Sequence, residues 1–265
     1  MVRNNLYERK VRKEMLAWQQ TMQRSPSFSN KATQGFQSRI NKVIPQKIHV
    51  LITRLIKDLT RAVLFGSGFT TFSRYEIADL HSTEDRIKER INFYTSSAAA
   101  EGAITGFGGF LSGLADFPLW LTLKMKMLFE IASRYGMDVQ DFKERIYILH
   151  IFQLSFSSQQ HRNKVYEIVA DWENQKELIP DDIHQFDWKT FQLEYRDHID
   201  LAKLLQLVPG VGAIVGAYVN HRLTTRLGNT AMNAYRMRVL GNYVPFTEIE
   251  EKDVQSLEER KKAKK

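Results

Sequence analysis

The chain has 265 residues, with 38 Lys and Arg against 30 Asp and Glu, a formal charge of +8, and 43% apolar and 11% aromatic residues. That length can bury a full core, and that composition excludes disordered, collagen-like and low-complexity chains. The absence of cysteine excludes disulfide scaffolds, thiolate metal sites, iron–sulfur clusters and a cysteine nucleophile. Residues 1–13 contain no apolar run of the kind a secretory signal needs.

Taken in order, the chain reads as helical almost throughout. A charged helix is predicted over 6–24, ending before Ser25-Pro26, because proline turns its predecessor away from helical geometry. A short helix follows over 30–43, and Pro45 suits the first turn of the next. That next helix, 46–64, has the clearest pattern. Ile48, Leu51, Ile52, Leu55, Ile56, Leu59 and Val63 recur at three and four residues, with Lys47, Arg54, Lys57 and Arg61 between them. Gly66, Ser67 and Gly68 end it. Ser82, with Asp85 three residues on, reads as the cap of a helix running to about Ala100. Gly136 reads as a helix terminator and Asp138 as the cap of a helix over 139–157. Further helices are expected over 161–174 and from Asp187 to about 206, separated by an acidic loop at 175–187. Pro209-Gly210 interrupts the pattern, and a helix resumes over 211–238. One domain over 1–245, with a basic helical part at 1–65 and a charged tail at 246–265, is the expected organisation.

Charge is unevenly placed. Residues 1–65 hold 13 basic and 3 acidic residues, residues 166–200 hold 3 and 10, and residues 201–245 hold five basic residues and no acid. A basic amphipathic N-terminal region suits an anionic membrane surface, a nucleic acid or an acidic partner. No nucleic-acid recognition motif is present and the basic residues are spread over several helices, so nucleic acid is not the expected partner. Lys47, Arg54, Lys57 and Arg61 are the candidate membrane-surface residues.

Two segments are rich in small residues. Gly102, Gly106, Gly109 and Gly113 are spaced by four, three and four, which would align them on one helical stripe, and Gly212 and Gly216 form a second pair beside Ala213 and Ala217. Each glycine costs a helix about 1 kcal/mol relative to alanine, so close packing of helices is the expected return. The fold expected is all-α, a multi-helix bundle with two glycine-rich helical hairpin segments in the core. A membrane-inserting hairpin is the competing reading. Residues 102–123 are long enough to span a bilayer, but they include Asp116 and Pro118, and the mean hydropathy of the chain is −0.37. The GFGG run at 106–109 lacks the strand and the third glycine of a dinucleotide loop.

Several of these residues carry a family likeness. Gly102-Ala103, Gly106-x-Gly108-Gly109 and Gly113-x-x-Asp116-Phe117-Pro118 resemble the EcsC family. So do Tyr135-Gly136-x-Asp138 and Val208-Pro209-x-x-Gly212-Ala213-x-x-Gly216-Ala217-x-x-Asn220. Trp18, Pro26 and Ile44-Pro45-x-Lys47 are similar too, so the likeness runs from about residue 10 to 240. Phe117 stands where the family pattern has leucine. The resemblance implies a bacterial, largely helical protein of unsettled activity, and it supplies no catalytic residue. The family's name comes from a gene beside an ABC transporter in Bacillus-like bacteria, which implies a membrane or export context.

No HExxH or GxSxG motif is present. Glu194 and His198 are four apart and read as a surface ion pair. Asp116, the lone charge in its apolar run, reads first as a helix cap and second as a functional acid. Asp116, Asn220 and His221 are the catalytic candidates should they converge on a polar pocket of a hydrolase-like enzyme. No cofactor and no metal are expected. The leading expectation is a cytoplasmic protein peripheral to the inner face of the cell membrane, with an anionic lipid surface or a membrane protein such as an ABC transporter as partner. A soluble scaffolding protein is the third reading.

Overall fold

A computed structural model describes residues 2–23, 46–65, 73–77, 79–105, 109–157, 159–187, 189–191 and 213–241, together with Leu193, Tyr195 and Ile199. The helices are α1 (Val2–Gln23), α2 (Gln46–Phe65), α3 (Leu80–Thr105), α4 (Gly109–Arg134), α5 (Phe142–Phe156), α6 (Gln159–Ala170), the single turn α7 (Trp172–Gln175) and α8 (Ala213–Leu240). Two short 3-10 turns, Lys176–Leu178 and Ile183–Gln185, occupy the acidic loop. The fold is an all-α bundle, and the described residues add to it a single antiparallel bridge between Ser157 and Ile199. Residues 30–43, Gly66–Gly68, Gly106, Glu194, His198, Pro209-Gly210, Gly212 and the tail, for which the sequence sets expectations, lie outside the described residues.

The last helix is the hub. α8 lies mainly along α3 and also packs on α1, α4, α5 and α6. Its sequence explains this position: Leu227, Ala231, Met232, Ala234, Tyr235 and Met237 are all buried, so more than one side of the helix is apolar. α5 is covered still more completely, with Ile146, Tyr147, Ile148, Leu149, Ile151, Phe152, Leu154 and Phe156 buried in a helix of 15 residues. α2 instead keeps two faces. Ile56, Leu59, Val63 and Leu64 enter the core, against α4 and α5, while Arg54, Lys57, Asp58 and Arg61 are exposed.

Chain ends of the helices follow local chemistry, with two corrections to the sequence reading. Asp79, not Ser82, starts α3: its Oδ1 accepts from the backbone N–H of His81 at 2.9 Å and of Ser82 at 3.2 Å. Leu80 then extends the helix one turn ahead of the expected start. Asp141, not Asp138, caps α5, accepting from the Lys143 N–H at 2.9 Å, while Asp138 closes a separate turn on Gln140. Gly136 ends α4 as expected. Its φ of 76 is left-handed, its N–H bonds Ser133 O, and the Met137 N–H bonds Ala132 O, the paired bonds of a Schellman close.

α3 and α4 run antiparallel, since Glu84 meets Tyr135 and Tyr94 meets Glu130. Gly102 therefore lies on one arm of this pair and Gly109 and Gly113 on the other. Gly106, between them in the sequence, lies outside the described residues. Among the described residues a close approach of two helices falls at Gly228 of α8. A Cβ there would sit 2.8–2.9 Å from three side-chain carbons of Ile91 on α3.

Candidate functional site

Three buried carboxylates organise the interior. Glu84 on α3 is fully buried. It receives Arg236 of α8 on both oxygens, Nε to Oε1 at 2.8 Å and Nη2 to Oε2 at 2.5 Å. The Tyr135 hydroxyl donates to Oε1 at 3.0 Å and the Tyr7 hydroxyl to Oε2 at 2.8 Å. Arg236 also reaches Asn233 Oδ1 and the carboxylate of Glu14 on α1. A planar guanidinium matches a carboxylate in this two-point fashion, which adds direction as well as strength.

Glu144 on α5 repeats the theme one layer away. Arg238 Nη1 donates to Oε2 at 2.7 Å and the Tyr235 hydroxyl to Oε1 at 2.8 Å. Burial pushes the Glu144 carboxyl above its usual range, against the pull of Arg238. Burial likewise raises the Tyr135, Tyr147 and Tyr235 hydroxyls, so all three stay protonated donors at neutral pH. Tyr235 stacks on Tyr135 and meets Tyr147 edge-on, both at 5.5 Å, which joins the two ionic layers through aromatic rings. Glu130 on α4 forms the third layer, with Arg90 at 2.7 Å, Arg134 at 2.9 Å and the Tyr94 hydroxyl at 3.1 Å. The oxygens of these acids are occupied by donors within the protein, which is the arrangement of a scaffold and not of a nucleophile.

The residues proposed for a polar pocket are placed differently from one another. Asn220 is buried, and its Oδ1 accepts from Trp120 Nε1 at 2.7 Å and from Thr224 Oγ1 at 3.3 Å. The buried Lys124 ammonium lies 3.7 Å from the centre of the Trp120 ring. His221, the next residue on α8, is exposed. Asn220 and His221 thus face core and solvent. Asp116 lies inside α4, two turns after its first residue, so the cap reading fails because the helix begins earlier than expected. Its side chain is outside the described set, as are those of Lys47 in the first turn of α2 and of the residues around Gly216 in α8. Among the described residues no three His, Asp or Glu side chains are grouped to hold a metal ion.

α2 carries a solvent-exposed stripe. Val50, Arg54, Lys57, Arg61 and Phe65 follow one another at steps of four, three, four and four, and all five are exposed, Val50 by 55% and Phe65 by 51%. At 1.5 Å per residue this stripe is about 22 Å long. The far end of the helix is fixed to the bundle by Arg145 of α5. Its guanidinium donates to Leu64 O at 2.7 Å, and to Val139 O and Gln140 O of its own approach loop. The sequence pattern located this face correctly, because both the core stripe and the charged stripe lie in one short window. The ionic layers left no such trace.

An all-α bundle ordered by buried Glu–Arg–Tyr layers, with one amphipathic helix showing a basic face, is the class of protein defined here. The EcsC protein family model matches residues 9–240, and the chain belongs to the EcsC family. It is similar to Protein EcsC of Bacillus subtilis (strain 168), 41% identical over 228 residues that cover 86% of this chain and 94% of the relative. It is also similar to Uncharacterized protein YdbA of the same organism, 25% identical over 258 residues, 90% of this chain and 94% of that one. No solved structure matches. Among the described residues no helix is long and apolar enough to cross a membrane.

Proposed function

We propose that this EcsC family protein works at the inner face of the cytoplasmic membrane, docking on anionic lipid through α2 and acting beside an ABC transporter or related export machinery. The observation that carries the reading is the exposed stripe of Arg54, Lys57 and Arg61 bounded by the exposed apolar side chains Val50 and Phe65. Basic residues draw the helix to anionic headgroups, and apolar residues at both ends of the stripe enter the interfacial zone. The excess of 13 basic over 3 acidic residues in 1–65 acts in the same direction. The transporter is the partner class that the family's gene neighbourhood suggests.

Flotation with phosphatidylglycerol and with phosphatidylcholine vesicles tests the docking. Each basic residue near an anionic surface contributes about 1 kcal/mol, so the three together amount to roughly a hundredfold in partition. Recovery with anionic vesicles that falls at high salt, and that is lost with Arg54→Glu, Lys57→Glu and Arg61→Glu combined, is expected. Equal flotation of the variant would refute electrostatic docking by α2. Flotation indifferent to both salt and the variant would move the contact to the glycine-rich helices.

A further inference from the structure

The ionic layer around Glu130 ends in exposed aromatic rings. Glu130 holds Arg90 at 2.7 Å and Arg134 at 2.9 Å. The centre of the Phe93 ring lies 4.4 Å from the Arg90 guanidinium carbon, and that of Tyr75 lies 5.0 Å from the Arg134 one. Phe93 is 52% exposed and Tyr75 43%, and Arg90 is itself part-exposed. The result is a strip in the order Phe93, Arg90, Glu130, Arg134, Tyr75, running across α3, α4 and the segment 73–77. Its parts are held in place. The Tyr75 N–H donates to Ser133 O at 3.1 Å and the Ser133 hydroxyl to Ser73 O, so the segment is tied to α4 on both sides of Arg74. Two guanidinium groups share one carboxylate, which leaves the strip a net positive charge. Aromatic and arginine side chains carry much of the binding energy at protein interfaces, and those already fixed lose least on binding.

The same chain carries the complement. Leu178, at 79%, is the most exposed large apolar side chain among the described residues. It closes the 3-10 turn Lys176–Leu178, with the exposed Glu177 before it and the exposed Asp182 after it. The surrounding stretch, 166–200, holds 10 acidic residues against 3 basic. This loop is anchored too, since Lys143 of α5 pairs with Asp181 at 2.7 Å. Strip and turn are both open to solvent, so they do not cover each other within one chain.

We propose that the strip binds the turn Lys176–Leu178 of a second copy of this chain. Leu178 lies against the exposed rings of Phe93 and Tyr75, and Glu177 and Asp182 face the arginines, where a guanidinium fork matches a carboxylate. The contact joins two different surfaces, so it is head-to-tail, and each open chain of copies ends in one unfilled strip and one unfilled turn. It uses no residue of α2, and it stands whether or not that helix docks on lipid.

Analytical ultracentrifugation of the full chain without lipid, over a series of protein concentrations, tests it. The average mass should rise with concentration and fall again at high salt. Phe93→Ser and Leu178→Ser alter exposed side chains and should melt as the wild type does. Each alone should weaken self-association about tenfold or more, and Glu177→Lys should weaken it as well. Mixed in equal amounts, Phe93→Ser and Leu178→Ser should form a pair with one of each and nothing larger, because the first keeps its turn and the second keeps its strip. A chain that stays monomeric at every concentration overturns the proposal and leaves the strip to a partner of another kind. Self-association as strong in Leu178→Ser or Glu177→Lys as in the wild type overturns it too. So does a mixture of the two serine variants that stays monomeric where the wild type associates.

Discussion

Replacing Arg236 by methionine isolates the innermost ion pair. The change keeps most of the side-chain volume but leaves Glu84, with none of its surface exposed, facing only two tyrosine hydroxyls. Removing one partner of a buried pair costs about 3–5 kcal/mol, since the remaining charge has lost its compensation. Against a total stability of roughly 5–15 kcal/mol this is a large fraction. A loss of 1 kcal/mol lowers Tm by about 2–4 °C in domains of this size, so a drop of about 6–20 °C is expected. Circular dichroism melts at neutral pH provide the measurement. The double variant Glu84→Gln with Arg236→Met removes the stranded charge and should melt above Arg236→Met alone. A single variant within about 2 °C of the wild type, or a double variant that simply adds two losses, would refute the view that desolvated charge governs this site.

Two further perturbations address other parts of the bundle. Gly228→Ala gains about 1 kcal/mol of helix propensity but forces its new Cβ into Ile91, and overpacking of this kind costs about 1–3 kcal/mol. Urea unfolding should therefore show a net loss of up to about 2 kcal/mol, and Ile91→Ala should cost less in the Gly228→Ala background than in the wild type. Additive losses would mean that the two helices separate freely at this point. Glu144→Gln tests the raised carboxyl on α5. The folded state holds that proton more tightly than the unfolded chain does, so this contribution is present below the ordinary carboxyl range and is lost as pH rises through the higher folded value. The stability difference, wild type minus Glu144→Gln, should fall as pH rises from about 4.5 toward neutrality. A difference that stays flat across urea titrations in this range would contradict the assigned direction.

Helices were legible where their evidence was local. α2 was read within a residue or two because Ile56, Leu59 and Val63 repeat at helical spacing inside one window, and α8 because nothing between 211 and 238 interrupts it. The Gly136 close was readable for the same reason. Caps were harder: Asp138 and Asp141 both close turns on the residue two ahead, and only the second is followed by a helix. Asp116 misled because Asp-Phe-Pro imitates a helix start, whereas α4 had already begun at Gly109. The ionic layers were beyond reach, since Glu84 and Arg236 are separated by 152 positions and each looks alone like an ordinary surface charge. Gly228 was overlooked for a related reason. A lone glycine has no period, and its neighbour Ile91 belongs to another helix.

Arg236 and Arg238 also settle how α8 is positioned along its own axis. An apolar seam tolerates slippage, because one buried aliphatic side chain can replace another a turn away. Arg236 and Arg238 do not permit this, since they engage Glu84 on α3 and Glu144 on α5 from one short stretch. Sliding α8 by one turn, about 5.4 Å, would carry both guanidinium groups off their carboxylates at once. The pairs therefore fix longitudinal register against two neighbours together. α8 is in this sense a keyed shaft, held in register by the arginines of its C-terminal half.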